Sequence, residues 1–170
     1  SANELFAVDA EFVSTPWSSS TALLRLTLQA ENAVAATGNN LVFLIDVSGS
    51  MNSADKLPLL KKTFSHLVDQ LTSRDVISIV TYSGKEAVVL DGCPGNERGR
   101  ILDAINKLSA YGSTNGEAGL TKAYQLAEKH AIEGGNNRII MASDGDLNVG
   151  ISSGSELKAY IEGKRNAGVY

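Results

Sequence analysis

An uninterrupted apolar run, LVFLI at residues 41–45, leads directly into Asp46. A strand with one face in water alternates apolar and polar side chains, whereas a strand covered on both faces is apolar throughout. Strands of the second kind occur chiefly in α/β sheets that carry helices on each side. The run therefore predicts a central strand of a layered α/β domain, with Asp46 as the first polar residue at its carboxyl end.

The sequence after this run alternates between helix and strand patterns. Apolar residues at helical spacing predict helices in SADKLPLLKKTFSHLVDQL, RILDAINKL, GEAGLTKAYQLAEKHA and ELKAYIEGKR, the last with Ser153 as its N-cap. An antiparallel hairpin is predicted for VISIVTY and EAVVL, and a second buried strand for NRIIMAS. This order predicts an α/β fold: an open, doubly wound, mostly parallel Rossmann-like sheet with helices on both faces and one antiparallel edge hairpin. The final NAGVY is typical of the start of another strand, so we expect further C-terminal strands and a helix beyond residue 170.

The first part of the chain has a different character. Alternating apolar residues in ELFAVDAEF and TALLRLTLQA predict two half-buried antiparallel strands. We therefore assign residues 1–37 to an N-terminal β-strand extension and linker, and residues 38–170 to the α/β domain. Because a two-stranded hairpin is marginal by itself, we expect it to dock on strands that follow residue 170, in preference to the α/β core.

Charge and composition exclude several classes of partner. The net charge is −4 and no run of Lys and Arg is present, which argues against nucleic acid as a partner. No apolar run approaches the roughly 20 residues that span a bilayer, so no direct membrane insertion is expected. Cys93 is interpreted as an inert loop thiol, and His66 and His130 as surface or half-buried residues without acidic partners at ligand spacing.

Polar side chains collect where the predicted strands end. Asp46 is followed by Ser48 and Ser50, and Asp144 follows the second buried strand. A third polar loop, YGSTNGE, supplies Ser113, Thr114 and Asn115. Ligands of open α/β sheets bind outside the carboxyl ends of the strands, so these oxygens converge if the two strands are neighbours. An all-oxygen set of this kind suits Mg²⁺, and the absence of Cys and His argues against zinc.

These pieces carry a family resemblance. The motif DVSGS with Met51, then GSTN, then SDGD, in this order, resembles the von Willebrand factor type A domain, over roughly residues 40–170. That family has a metal-ion-dependent adhesion site built on D-x-S-x-S, a distant Thr and a distant Asp. The resemblance implies a Mg²⁺ site, with Mn²⁺ or Ca²⁺ as alternatives, whose ligands are Asp46, Ser48, Ser50, Thr114 and Asp144. The resemblance also implies a protein partner that supplies an Asp or Glu carboxylate. The segments LVFLIDVSGSM and SDGDLNVG are similar to those of bacterial envelope proteins with this domain, which favours a location outside the cytoplasm.

The function predicted on this basis is that of a binding module for adhesion or assembly, without catalytic activity, because no general base or nucleophile accompanies the oxygen set. Two alternatives stay open. Asp46 could be the nucleophile of a Mg²⁺-dependent phosphatase, although Ser48 stands where such enzymes have a second Asp and no Lys is obvious near the site. The metal could also be a structural staple in a larger assembly.

Overall fold

The computed structural model describes residues 6–18, 20–30, 37–83, 85–111, 117–145, 154–165 and 168–170. The chain divides into two compact units, Ser1–Ala35 and Ala36–Tyr170. The first contains strands β1 (Phe6–Ser14) and β2 (Ala22–Ala30). The second contains, in order, β3 (Asn39–Asp46), a 3₁₀ helix (Gly49–Asn52), α1 (Leu57–Gln70), β4 (Val76–Ser83), β5 (Lys85–Pro94), α2 (Arg98–Asn106), α3 (Glu117–Lys129), β6 (Asn136–Ala142) and α4 (Gly154–Arg165).

The second unit is built on a four-stranded sheet with the order β5-β4-β3-β6. β3 pairs in parallel with both β4 and β6, and β5 pairs antiparallel with β4 as the predicted hairpin. The chain leaves β3 toward β4 on one side and reaches β6 on the other, so the strand order reverses at the end of β3. The predicted mostly parallel sheet with helices on its faces is confirmed, and the reversal lies beside Asp46.

The central strand β3 is covered on both faces, as its composition predicts. Leu41, Phe43 and Ile45 belong to one buried cluster, which α1 and α2 complete. Val42 and Leu44 belong to a second cluster, which includes α3 residues and, at its margin, α4 residues. Phe64 of α1 meets Phe43 edge to face, with ring centroids 4.4 Å apart. Both helix layers therefore pack against the strand that carries Asp46.

Helix α1 follows the apolar stripe seen in the sequence. Leu57, Phe64 and Val68 are buried at helical spacing, and Pro58 lies in the first turn, where its missing N–H leaves no hydrogen bond unmade. In α2, Ile101 and Ile105 are buried likewise. The Ser153 cap that the sequence predicts for α4 lies outside the described residues. Within the described part of the chain, no helix is long and apolar enough to cross a membrane.

Strand β6 is less buried than the sequence predicts. Its pattern suggested cover on both faces, but Arg138 is exposed and Ile140 is 41% exposed. β6 is the last strand of the four-stranded order, so it lies at the margin of the helix layers that cover β3, and its side chains are covered less. At its other edge, Tyr170 N donates to Asn137 O (3.0 Å) and Ile139 N donates to Tyr170 O (2.7 Å). This is the bonding of a parallel neighbour, as expected for the strand predicted to begin at NAGVY.

The first unit is a regular two-stranded antiparallel ribbon. Its register places Val8 opposite Leu28 and Phe12 opposite Leu24, so the apolar residues of both strands share one face. The prediction of half-buried strands is wrong for this face, whose larger side chains are 57–75% exposed: Val8, Phe12, Leu24, Leu26 and Leu28. A ribbon of two strands has no second layer of its own that could bury them. Docking on other strands stays a prediction.

One single-residue expectation needs correction. Cys93 is buried, as an inert thiol should be, but it lies in β5 and not in a loop; burial raises its pKa. His130 is half-buried, as expected, and its Nε2 lies 2.6 Å from Asp91 Oδ1. Asp91 is 39 residues away in the sequence, so no local spacing rule could reveal the pair.

Candidate metal centre

Asp46 is the last residue of β3 and its side chain is inaccessible to water. Its register partner in β4 is Tyr82, and its exposed fraction is 0%. Oδ1 accepts a hydrogen bond of 2.8 Å from the backbone N–H of Ser48. Oδ2 is buried and has no hydrogen-bond partner among the described residues. A buried carboxylate oxygen without a partner is costly, so Oδ2 is the atom of Asp46 that its own fold leaves unsatisfied.

The two serines of the motif lie on the turn that follows. Ser48 occupies the N-cap position of the 3₁₀ helix Gly49–Asn52, but its side chain makes no capping hydrogen bond with a described residue. Its hydroxyl instead lies 3.1 Å from the Ser50 hydroxyl. Met51 is buried and its N–H donates to Ser48 O at 3.0 Å, which anchors the turn to the core. Ser48 is buried and Ser50 is exposed, so the pair runs from the end of β3 toward solvent.

Asp144 reaches the same edge of the sheet from the neighbouring strand. β6 pairs in parallel with β3 up to Ile45 opposite Ala142, and Asp144 follows two residues later. Its side chain is only 9% exposed. Asp46 and Asp144 thus leave adjacent parallel strands at the same level, as the sequence analysis expected.

Thr114 belongs to residues 112–116, which lie outside the described residues. The structure brings four of the five predicted ligands, Asp46, Ser48, Ser50 and Asp144, to one edge of the sheet. Metal ligation by any of the five stays a prediction.

Lys56 is the residue at this edge that sequence reasoning missed. Its ammonium donates to Asp144 Oδ2 at 2.8 Å and to the backbone oxygen of Ser50 at 3.1 Å. One charged group therefore bridges the serine turn and the second strand end. The expectation that no Lys is obvious near the site is wrong, because Lys56 stands directly before α1, which begins beside the serine turn. Its partner Asp144 is 88 residues away, so no local pattern points to the pair.

Tyr82 of β4 is the register partner of Asp46 and is fully buried. Burial raises its pKa to about 12, helped by the negative charges of Asp46 and Asp144. Its hydroxyl is buried and makes no hydrogen bond of normal geometry within the described ranges.

The donor set fits a hard dication better than a soft one. Carboxylate and hydroxyl oxygens are the ligands that Mg²⁺ and Ca²⁺ prefer, whereas zinc sites use Cys and His. No group of three or more His, Cys, Asp and Glu side chains able to hold a metal occurs in the described part of the chain. Two acids with neutral hydroxyls, and one acid oxygen left without a partner, are compatible with a Mg²⁺-type ion.

An open groove of about 400 Å³ adjoins this edge. It lies between the start of α1 and the end of β6, and its lining includes Met51, Asp55, Lys56, Leu59 and Asp144. Of the polar residues discussed above, Lys56 and Asp144 line this groove.

Two known proteins have sequences similar to this chain. An uncharacterized protein of Escherichia coli strain K12, YfbK, is 42% identical over 166 residues, which cover 96% of this chain and 29% of that protein. Human inter-alpha-trypsin inhibitor heavy chain H3 is 28% identical over 148 residues, covering 81% of this chain and 16% of its own length. The chain thus spans less than a third of either relative.

Solved structures and the family profile point the same way. A von Willebrand factor type A structure from Catenulispora acidiphila matches with a TM-score of 0.61 at 21% identity, over 92% of this chain and 37% of that one. The sequence profile described as von Willebrand factor type A domain matches residues 41–146, from the first residue of the apolar run in β3 to two residues beyond Asp144. With that profile match, and with the D-x-S-x-S turn lying where the strand order reverses, the chain belongs to the von Willebrand factor type A domain family.

Proposed function

We propose that the domain binds a partner protein through a Mg²⁺-type cation held by Asp46, Ser48, Ser50, Thr114 and Asp144. Domains of this family are generally protein-interaction or adhesion modules. The observation that supports metal-dependent use here is Asp46 Oδ2, a fully buried carboxylate oxygen with no hydrogen-bond partner among the described residues. A cation in contact with that oxygen would satisfy it, as buried charges require.

The choice of ligands explains why a carboxylate is the proposed partner group. Neutral hydroxyls leave much of the positive charge on a bound dication, which would then attract an external acid more strongly than water. Ser50 is exposed and Asp144 lines the open groove, so these are the two proposed ligands that such an acid could approach from solvent. A single Asp or Glu of the partner would therefore be the central contact.

Metal binding is tested by calorimetry with MgCl₂ and MnCl₂. We expect one site, lost in Asp46→Ala and weakened at least tenfold in Ser48→Ala, because each removes an oxygen donor. Asp69→Ala, which removes an exposed acid from α1, is the charge-matched control and should bind as the parent does. Equal binding by the parent, Ser48→Ala and Ser50→Ala would contradict the assignment.

The carboxylate step is tested with Mn²⁺ as a paramagnetic probe. Exchangeable water on bound Mn²⁺ enhances water-proton relaxation, and an acid that replaces it lowers that enhancement. We expect a short peptide containing one Asp to reduce the enhancement, and the matching Asn peptide to leave it unchanged. Metal binding without any response to the acidic peptide would favour the structural staple.

The second candidate is a Mg²⁺-dependent phosphatase, and the position of Lys56 favours it more than the sequence did. Lys56 lies within hydrogen-bond distance of Asp144, where a lysine could contact a phosphate. Against this, Asp46 is inaccessible and one of its oxygens is held by the Ser48 amide, so it is poorly placed as a nucleophile. Phosphatase assays with Mg²⁺ distinguish the two, since turnover abolished by Asp46→Asn would promote the enzyme.

A further inference from the structure

The candidate metal centre contains a positive charge supplied by the chain itself. The Lys56 ammonium lies 2.8 Å from Asp144 Oδ2, an oxygen of a proposed metal ligand, and 3.1 Å from the carbonyl of Ser50. Both of its acceptors belong to residues of the proposed ligand set. The Lys56 side chain therefore points toward the proposed ligands and not along the surface of α1.

Charge explains why a lysine would settle there. Asp46 and Asp144 are two nearly inaccessible carboxylates at adjacent strand ends, and buried acids require compensation. One ammonium offsets one of the two negative charges, whereas a dication offsets both. A lone pair of Asp144 that accepts from Lys56 is also less available to a metal, so the two cations compete for the same carboxylate.

The attachment of Lys56 allows it to leave without disturbing the fold. Its backbone oxygen accepts from Leu60 N at 2.9 Å, so the start of α1 is held by the main chain and not by the ammonium. The Lys56 side chain is 33% exposed and lines the open groove. A lysine has a flexible four-carbon stem, so its head can move into the groove while the backbone stays in place.

We propose that Lys56 is a tethered counter-ion of the candidate metal centre, which neutralises Asp144 in the metal-free domain and must be displaced when a dication binds. The inference rests on the proposed metal site and adds to it an element of regulation. Lys56 lowers the affinity for the metal and stabilises the metal-free form. The domain therefore fills its site only where the dication concentration is high enough to displace the lysine.

Calorimetry of the whole chain with MnCl₂ tests the inference. Lys56→Met removes the ammonium and keeps most of the stem, and we expect it to bind Mn²⁺ about fivefold more tightly than the parent, the upper size expected for loss of one partly exposed ion pair. Lys62→Met removes the same charge from an exposed position on α1 and should change the affinity less than twofold. Lys56→Arg keeps the charge and should bind nearly as the parent does.

Thermal unfolding supplies an independent readout. In EDTA, Lys56→Met should melt below the parent, because the ion pair between Lys56 and Asp144 is lost. In saturating MnCl₂ the difference in melting temperature should vanish or reverse. Mn²⁺ affinity of Lys56→Met equal to or weaker than that of the parent would overturn the inference while leaving the metal site intact. Absence of binding in the parent and in every Lys56 variant would overturn the metal site itself, and the inference with it.

Discussion

Two buried acids of this domain show how a structural carboxylate differs from one that awaits a ligand. Asp75, which is 4% exposed, accepts four hydrogen bonds: from the backbone and side-chain nitrogens of Asn39 and from the backbone nitrogen and hydroxyl of Thr72. Asp46 accepts one from Ser48 and has an oxygen without a partner among the described residues. Asp75 therefore joins β3 to the loop before β4. In Asp46, by contrast, only one of the two carboxylate oxygens accepts a hydrogen bond from a described residue.

Asp75 leads to a prediction about acid stability. Burial acts to raise its pKa, but the hydrogen bonds from Thr72 and Asn39 outweigh burial and lower it below the usual value. A carboxyl whose pKa is lower in the folded state stabilises the fold at pH values above its unfolded pKa of about 3.9, and this stability is lost as the pH falls through the folded pKa.

We expect Asp75→Asn to reduce the free energy of unfolding by about 1–3 kcal/mol at pH 7, because an amide nitrogen cannot accept from Thr72. The difference from the parent should shrink steadily below pH 4. Urea titrations at several pH values measure it, and a difference that stays constant from pH 7 to pH 3 would show that the charge of Asp75 is unimportant.

At the scale of elements, the packing of α3 against the sheet bears most directly on the candidate metal centre. A Cβ on Gly119 would lie 2.9 Å from Tyr82 Cβ and 3.3 Å from Leu44 Cδ1, so the helix approaches β3 and β4 through a glycine. α3 begins at Glu117, immediately after the segment that contains Thr114. The close approach at Gly119 therefore fixes the first turn of α3 against β3 and β4.

A pair of glycine substitutions tests this packing. Gly119→Ala should destabilise the domain by roughly 1–3 kcal/mol, because the added methyl overpacks the contact with Tyr82. Gly163 of α4 has open space around its Cβ position, and Gly163→Ala should stabilise by about 0.5–1 kcal/mol through helix propensity. Thermal unfolding of both variants gives the comparison; stabilisation by Gly119→Ala would mean that α3 lies farther from the sheet than described.

At the scale of the whole molecule, the sheet of the second unit carries two hydrophobic clusters, one on each face, and the candidate centre lies at the end of the strand they share. Ligand binding there is thermodynamically linked to unfolding, because the ligand set exists only when β3 and β6 are paired. The oxygens of Asp46 and Asp144 come together through parallel strands that are nearly a hundred residues apart along the chain. A metal at this edge should therefore stabilise the entire α/β unit.

We expect MnCl₂ at about a hundred times its dissociation constant to add about 2.7 kcal/mol to the free energy of unfolding. For a domain of this size that raises the melting temperature by roughly 5–10 °C. Ser48→Ala should lose about half of the shift or more at the same MnCl₂ concentration, because binding at least tenfold weaker leaves about 1.4 kcal/mol or less of the stabilisation. An equal shift in Ser48→Ala would place the stabilising ion elsewhere on the molecule.

The sequence by itself determined the features that depend on near neighbours. Periodicity showed that 41–45 is covered on both faces and that α1 has one apolar stripe, because burial of a side chain follows the geometry of its own strand or helix. The same locality placed Asp46, Ser48 and Ser50 on one turn. Asp144 was predictable because parallel strands end at the same edge of a sheet.

Only the tertiary structure decided which distant elements lie side by side. The pairs Lys56–Asp144 and Asp91–His130 join residues 88 and 39 positions apart, and the exposure of Ile140 depends on β6 standing at the end of the four-stranded order. Alternation and helical spacing report the face that an element buries, but they contain no information about its neighbour across the sheet. For that reason the sequence did not reveal the Lys56 ammonium at the candidate centre, and only the folded structure shows it beside Asp144.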